Sequence, residues 1–189
     1  MSRRIFVDMD GVLAKWEEAS LEEMTSPGFF ISRKPDPNVC DMFRMLQEKA
    51  AEGSLEVFIL SSYLLPMSME EKIEWNQMYT HIPRENQIYV PYGESKATAL
   101  EVVGGIQPTD VLIDDFTKNL KEWPGIAIKL YNGINGTHGT WNGYSVHSNM
   151  EPAKMLLQLD AISLMESMKM VHMEQAQQET VTRKTGIRR

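Results

Sequence analysis

An apolar run that ends in two carboxylates, close to the start of the chain, constrains the fold more than any other feature. Ile5–Val7 predicts a buried strand, and Asp8 and Asp10 follow it, with Gly11 permitting a turn. Where a strand gives way to a turn, both carboxylates can reach one small volume. Asp and Gly are also common turn formers, so a plain turn remains an alternative. A calcium loop is disfavoured because Ala19 stands where a Glu ligand is required.

Three further sets of polar groups follow predicted strands, and each set alone has an ordinary explanation as a cap, a turn or a solvated surface. They are Ser61–Ser62 after strand Leu55–Leu60, Lys96 after strand Gln87–Val90 and within helix Glu94–Val103, and Asp114–Asp115 between strand Val111–Ile113 and helix Phe116–Glu122. Open α/β sheets collect their functional groups at the carboxyl ends of the strands. Together the sets therefore predict one site with acids, hydroxyls and a cation.

These residues resemble the four motifs of the haloacid dehalogenase-like phosphatases, which are a D-x-D strand end, a Ser or Thr strand end, a Lys and an acidic pair. Within that superfamily the chain is most similar to the 5'(3')-deoxyribonucleotidase family, over roughly residues 3–131. The likeness rests on Phe6–Leu13, Pro27–Phe30, Phe58–Ser62, Lys72 with Trp75, Lys96, and Leu112–Asp115. It implies an α/β, Rossmann-like three-layer fold with a mainly parallel central sheet and a small helical cap inserted after the first strand.

The resemblance also implies a role for each motif residue. Asp8 is the expected nucleophile and Asp10 the general acid and base, while phosphate-binding groups are expected at Ser61, Ser62 and Lys96. The expected cofactor is Mg²⁺, a hard cation that prefers oxygen ligands. Its expected ligands are Asp8, the backbone carbonyl of Asp10, and Asp115, with Asp114 either sharing that role or lying behind it.

Two departures from the family pattern concern the second motif and the spacing after the third. Ser61-Ser62-Tyr63 stands where Thr-Ser-Pro is expected, which keeps the hydroxyl. A turn-rich insertion, Gly104–Pro108, lengthens the distance from Lys96 to Asp114 and leaves the role of Lys96 open.

The segment between the first two motifs, residues 14–54, is too long for a simple connection and predicts the cap. Trp16–Met24 is a candidate helix, and Asn38–Ala51 predicts a helix that packs on the sheet. Exposed aromatic side chains near a phosphate site can stack on a nucleobase. The candidates for that contact are Trp16, Phe29 and Phe30, although both Phe residues are equally explained as cap core.

Composition favours an enzyme of small anions over a binder of nucleic-acid polymers. The net charge of −7 and pI near 5.2 offer no basic surface for a polyphosphate backbone. A chain of 189 residues with 42% hydrophobic content can bury one good core. We therefore expect residues 1–150 to form a single domain, the phosphatase core, which includes the cap. Cys40 is the single cysteine and no apolar stretch approaches a membrane span, so a cytoplasmic protein without membrane contact is expected.

The C-terminal part predicts a long helix over residues 151–180 and a basic, disordered tail over residues 181–189. An apolar stripe on this helix is explained most simply as core-facing, and a Met-rich face that pairs with another subunit makes a homodimer the further candidate. The stripe comprises Met155, Leu159, Ile162, Met165 and Met168.

Before that helix, Asn132–Tyr144 is rich in turn formers and favours a surface loop. The alternative is a wall of the site, with His138 or Trp141 touching substrate.

The sequence therefore predicts a magnesium-dependent phosphomonoester hydrolase that acts on nucleoside monophosphates, with deoxyribonucleotides preferred, through an aspartyl-phosphate. One alternative keeps the chemistry but changes the substrate to a sugar phosphate or another small metabolite. A second alternative is an idle, phosphate-responsive regulatory protein. The presence of Asp10 disfavours it, because a binder has no need of a proton-transfer acid.

Overall fold

Six parallel strands form one sheet in the order β3-β2-β1-β4-β5-β6. The structure is a computed structural model that describes residues 3–134 and 141–186, with side chains for all of these except residues 102, 103 and 177–186. The strands are β1 Arg3–Val7, β2 Leu55–Tyr63, β3 Gln87–Pro91, β4 Val111–Asp114, β5 Ile126–Tyr131 and β6 Tyr144–His147. The helices are α1 Leu21–Met24, α2 Pro37–Ala51, α3 Pro66–Tyr79, α4 Lys96–Ala99, α5 Thr117–Glu122 and α6 Pro152–Gly186, with short 3-10 helices at Arg84–Asn86 and Leu100–Val103.

Helices cover both faces of the sheet, which confirms the predicted three-layer α/β fold. Alternate residues of β1 separate the two cores, since Ile5 and Val7 pack with α2, α3 and α6, whereas Phe6 packs with α4 and α5. All three side chains are almost fully buried. Burial on both faces explains why the central strands are continuous apolar runs rather than alternating ones.

The strand order reverses between β1 and β4, and this reversal positions the site. In an open parallel sheet, a crevice forms outside the carboxyl ends of the strands at that point. The backbone N–H of Asp8 donates to the carbonyl of Ile113 at 3.0 Å, which joins the end of β1 to the end of β4. The first and last acidic motifs therefore meet at the switch point.

Helix α2 shows how local sequence fixes the packing on one face. The Asp36 side chain caps its N-terminus by accepting from the N–H of Val39, and Pro37 occupies the first turn. Its buried residues recur at helical spacing and face the sheet. They are Val39, Cys40, Met42, Phe43 and Leu46.

Two predicted helices are shorter in the structure because caps begin them later. The candidate helix Trp16–Met24 reduces to α1, since Ser20 and Glu23 form a reciprocal capping box at its start. The remainder of the segment up to α2 consists mainly of turns and extended backbone, so the cap is less helical than predicted. Similarly, Ser95 caps α4 at Lys96, and the helix tightens to a 3-10 turn that ends at Gly104, with φ of +89°.

Three other boundaries extend beyond the predictions. Strand β2 continues through Ser61 and Ser62, because pairing with β3 carries the ladder on to Tyr63. Strand β6 begins where only a loop was predicted, since this short edge strand has too few apolar residues for a recognisable period. Helix α6 continues to Gly186, into the segment predicted as a disordered tail, and residues 187–189 lie outside the described ranges.

The insertion before β4 lies at the amino ends of the strands, away from the switch point. Arg4 donates to the carbonyl of Gly105 at 2.6 Å and forms an ion pair with Asp110, and Asp110 also accepts from the N–H of Gln107. The insertion is therefore anchored to β1 without approaching the site. In the parts of the chain that the structure describes, no helix is both long enough and apolar enough to cross a membrane.

Candidate active site

Three carboxylates from the ends of β1 and β4 converge at the switch point. Asp8, Asp114 and Asp115 each offer an oxygen within 4.8 Å of the others, and all three residues are buried. Burial without compensation disfavours charge strongly, so such a trio requires cations nearby. The predicted convergence of the first and last acidic motifs is thus what the folded chain shows.

Lys96 supplies the first of those cations. Its ammonium lies 3.0 Å from Asp8 Oδ1 and 2.7 Å from Asp114 Oδ2, with the side chain almost fully buried. Burial alone would lower the pKa of Lys96, but the charges of Asp114 and Asp8 outweigh it and raise the pKa above its ordinary value. Despite the insertion, Lys96 therefore lies between the two acidic motifs as a permanent cation.

Asp114 and Asp115 lie differently with respect to the open crevice. Asp114 is enclosed, since it accepts from Lys96, from the N–H of Phe116 at 2.7 Å and from Asn119 at 2.9 Å. Burial raises the pKa of Asp114, with Lys96 opposing the rise. Asp115 lines the crevice and accepts from Asn132 Nδ2 at 2.8 Å.

Gly11 makes the approach of Asp115 possible. Its φ is +73°, a conformation that residues with a Cβ rarely adopt. A Cβ at this position would lie 2.0 Å from Asp115 Oδ2. Asn132 also donates to the carbonyl of Gly11 at 2.9 Å, so a single amide fixes the turn after β1 and the acid after β4.

Lys72 is a site residue whose role the sequence did not predict. It extends from α3, is almost fully buried, and its ammonium donates to Asp10 Oδ2 and to the carbonyl of Ser62. The sequence shows Ser68, Lys72 and Asn76 at a spacing of four, which places them on one face of α3, and only the structure shows that this polar face is buried. Buried polar residues at one helical face indicate a polar partner.

Asp10 has two differently placed oxygens. Oδ2 accepts from Lys72, whereas Oδ1 is buried and has no hydrogen-bond partner among the described residues. Burial raises the pKa of Asp10, the charge of Asp8 adds to the rise, and Lys72 opposes it. Burial therefore favours the protonated form of Asp10, against the effect of Lys72.

The two serines of β2 point to different environments. Ser62 lines the crevice, while Ser61 is completely buried and its hydroxyl lies 3.3 Å from the Lys72 ammonium. Successive strand residues face opposite sides, which explains the difference. Of the pair, only Ser62 has direct access to the crevice.

The crevice is a pocket of about 540 Å³ between the carboxylates and the cap. Asp8, Asp10 and Asp115 form its floor, and Trp16 and Phe30 belong to its cap wall. Pockets for small organic ligands typically have volumes of about 300–1,000 Å³. This pocket therefore suits a small organic ligand rather than a polymer segment.

Phe29, the third predicted aromatic, does not line the pocket. It is buried, with its ring 6.0 Å from that of Trp16 and the Arg33 guanidinium 4.2 Å from its centroid. Phe29 is therefore part of the cap core, which was the alternative prediction, and its ring packs against that of Trp16.

Glu71 holds the cap loop against α3. Its carboxylate accepts from the backbone N–H groups of Gly28 at 2.6 Å, Phe30 at 3.0 Å and Ile31 at 3.5 Å. The neighbouring Lys72 lies 4.5 Å from the centroid of the Phe30 ring. One turn of α3 therefore positions both the aromatic cap wall and the floor of the pocket.

Further lining residues follow β3 and β4 in the chain. They include Tyr92 and Phe116, whose side chains are largely exposed, and Asn119 of α5. Trp141 does not line the pocket, because its Nε1 donates to the Tyr144 carbonyl at 2.8 Å and its ring packs on the core. His138 lies outside the described residues.

The fold and these groups define a phosphatase-like site of the haloacid dehalogenase type. The family model described as "5' nucleotidase, deoxy (Pyrimidine), cytosolic type C protein" matches residues 21–162, about three quarters of the chain. The chain belongs to this family of nucleotidases, as the resemblance predicted. The match includes Ser62, Lys96 and Asp115 and begins after Asp8 and Asp10. A search of the curated proteins gives no match.

Replacing Gly11 by Ala should introduce backbone strain and, in addition, disable the site. Gly53, just after α2, is the matched control for the strain, because its φ of +78° is similar and an added Cβ would meet nothing within 4 Å. Each variant should lose about 1 kcal/mol of unfolding free energy from the positive φ. Gly11→Ala should in addition displace Asp115 and abolish phosphatase activity, whereas Gly53→Ala should stay active.

Urea unfolding and phosphate release, measured on both variants, check this expectation. Full activity in Gly11→Ala would show that the close approach to Asp115 is unimportant.

Proposed function

We propose that the protein is a magnesium-dependent phosphomonoesterase of nucleoside monophosphates, with deoxyribonucleotides preferred. The observation that carries this proposal is the meeting of Asp8, Asp10 and Asp115 at the floor of one aromatic-walled pocket, with the buried Lys96 in an ion pair with Asp8. Membership in a nucleotidase family gives the reaction class. The residue roles and the substrate preference are the proposal.

Asp8 is assigned as the nucleophile that attacks phosphorus. Its Oδ1 is fixed by Lys96 at 3.0 Å and by the N–H of Met9 at 2.7 Å, so the carboxylate is oriented before substrate arrives. Attack forms an aspartyl-phosphate and breaks the ester bond, which divides one difficult displacement into two easier ones. The ammonium of Lys96 is then within reach of the phosphoryl oxygens, where it stabilises the charge that spreads over them.

Asp10 is assigned the proton transfers in both halves of the reaction. Its protonated carboxyl gives a proton to the leaving alcohol oxygen as the ester bond breaks. The resulting carboxylate then takes a proton from the water that attacks the aspartyl-phosphate, which regenerates Asp8 and releases phosphate. Lys72 holds Oδ2 by an ion pair, which orients the carboxyl group for these transfers.

The donor groups on the pocket floor fit a magnesium ion. The formal charge of the group is −2 when Asp8, Asp114, Asp115 and Lys96 are all ionised. The carboxylates offer only oxygen ligands, which Mg²⁺ prefers. We assign Asp8, the Asp10 carbonyl and Asp115 as ligands, and Asp114, which Lys96, Phe116 and Asn119 enclose, as their support. When bound, the ion neutralises charge on the phosphate and allows it to approach Asp8.

The cap wall favours a nucleoside over a smaller leaving group. Trp16 and the almost fully buried Phe30 line the pocket from the cap, and the exposed rings of Tyr92 and Phe116 also line it. A planar base can stack on such surfaces, whereas a sugar phosphate makes little use of them. Ser62, at the pocket edge, offers a hydroxyl to the phosphate.

Phosphate release from a panel of esters tests the proposed function. The panel contains dUMP, dTMP, dGMP, UMP, 3'-dUMP and glucose 6-phosphate, each with Mg²⁺ and with EDTA. Hydrolysis should require Mg²⁺, favour the deoxyribonucleotides and fall by at least about 10³-fold in Asp8→Asn, because the nucleophile is lost.

Asp41→Asn is the matched control, since Asp41 is half-exposed on α2 and pairs only with its neighbour Arg44 among the described side chains. It should keep full activity. Rapid hydrolysis of glucose 6-phosphate ahead of every nucleotide would contradict the substrate assignment, and activity in Asp8→Asn would contradict the nucleophile.

Asp10→Asn should separate the two halves of the reaction. Turnover of dUMP should fall about 10²–10⁴-fold, because its alcohol leaving group needs the proton. p-Nitrophenyl phosphate has a leaving group that needs none, so the variant should release one p-nitrophenolate per site in a burst and then stall. Rapid-quench kinetics measure the burst. Steady turnover of both esters at the native rate would show that Asp10 is not the proton-transfer group.

A further inference from the structure

Strand β5 carries a buried lysine on the side of the sheet that packs against α4 and α5. Lys129 interrupts an otherwise apolar run and is 1% exposed. Ala127, two residues earlier, packs on the same core as Phe6, whereas Ile128 and Leu130 pack on the other core. Because side chains alternate along a strand, Lys129 shares the face of Ala127 and points toward α5.

The ammonium of Lys129 reaches the segment that carries the last acidic motif. In the sheet, Lys129 lies beside Asp114 on the neighbouring strand β4. Its Nζ donates to the backbone carbonyl of Asp115 at 2.8 Å and to Thr117 Oγ1, also at 2.8 Å. Lys129 therefore holds the main chain of Asp115, a residue that lines the pocket.

The residue that follows β5 holds the side chain of the same aspartate. Asn132 donates to Asp115 Oδ2 at 2.8 Å and to the carbonyl of Gly11 at 2.9 Å. Lys129 and Asn132 are three residues apart, so one short stretch of chain fixes Asp115 at its backbone and at its carboxylate. A carboxylate that is held in this way is oriented before a cation binds.

The stability of the fold alone explains Lys129 poorly. Burial lowers the pKa of Lys129, although the charges of Asp115 and Asp114 oppose the fall. Thr117 is the first residue of α5, and the helix dipole already places positive charge at that end, so a cation beside it is unfavourable. An apolar side chain would occupy this position without the cost of burying an ammonium. The lysine therefore benefits the site rather than the fold.

We propose that Lys129 is a positioning residue that fixes Asp115 as a ligand of the divalent cation. This inference rests on the proposed function, which assigns Asp115 to the metal. Lys129 acts through the main chain of Asp115, and so determines where the carboxylate lies. Groups that hold a metal ligand in this manner typically account for about 10–100-fold in metal affinity.

Titration calorimetry of Mg²⁺ into the metal-free full chain tests the proposal. Lys129→Met keeps an unbranched side chain and removes the donor, so the dissociation constant for Mg²⁺ should rise about 10–100-fold. The direction is diagnostic, because loss of a positive charge beside the site would by itself strengthen cation binding. A dissociation constant that is unchanged, or that falls, would overturn the proposal.

Thr117→Val is the matched control for the titration. It removes the other acceptor of Lys129 and leaves the contact with the Asp115 carbonyl, so the affinity for Mg²⁺ should stay close to that of the native protein. Equal losses of affinity in Thr117→Val and Lys129→Met would overturn the specific role of the carbonyl contact. If Lys129→Met is unstable, Lys129→Met combined with Thr117→Val serves in its place, because no hydroxyl is then left without its partner.

The side-chain amide of Asn132 reports on Asp115 in the absence of metal. Its nitrogen-15 NMR resonances, assigned with Asn132→Ser, should shift in metal-free Lys129→Met and stay in place in Thr117→Val, because Asp115 Oδ2 accepts from this amide. Unchanged resonances in Lys129→Met would contradict the positioning role. A native protein that binds no Mg²⁺ would overturn the proposed function and the assignment of Asp115 to the metal, even where the amide shift shows that Lys129 positions this residue.

Discussion

The concentration of negative charge at the switch point of the sheet is the constraint on which the rest of the structure depends. Asp8, Asp114 and Asp115 lie within 4.8 Å of one another and are buried, an arrangement that costs free energy unless cations offset it. Lys96, at the start of α4, offsets part of this negative charge, and the remainder suits a divalent cation. The fold thus holds three carboxylates close together, an arrangement that suits a reaction site but lowers the free energy of unfolding when no cation is bound.

The surrounding elements act together to maintain that arrangement. The bare Cα of Gly11 admits Asp115, Asn132 fixes both, and Lys72 from α3 holds Asp10 from the other side. The same turn of α3 fastens the cap loop through Glu71. Helix α3 therefore links the cap loop to Asp10 on the pocket floor, so a change in the cap loop is expected to alter the position of Asp10 as well as the cap wall of the pocket.

The sequence was most informative where function and local pattern coincide. Apolar runs ending in Asp8 and Asp114 predicted both the strands and their meeting, because parallel strands share one carboxyl edge. Lys72 received no predicted role, since its partner Asp10 is far away in sequence and a lone Lys on a helix usually lies in solvent. Strand β6 and the short α1 were missed or misplaced because edge pairing and capping, rather than apolar period, define them. The burial of Phe29 depends on tertiary packing that no local pattern records.

The most direct measurement asks whether Asp8 accepts the phosphoryl group. Beryllium trifluoride binds carboxylates as a mimic of an acyl phosphate, and fluorine NMR detects it in the presence of Mg²⁺. The native protein and Asp41→Asn should both show a bound fluorine resonance that EDTA removes, and Asp8→Asn should show none. A bound resonance that persists in Asp8→Asn, or its absence from the native protein, would contradict the assignment of Asp8 as the nucleophile.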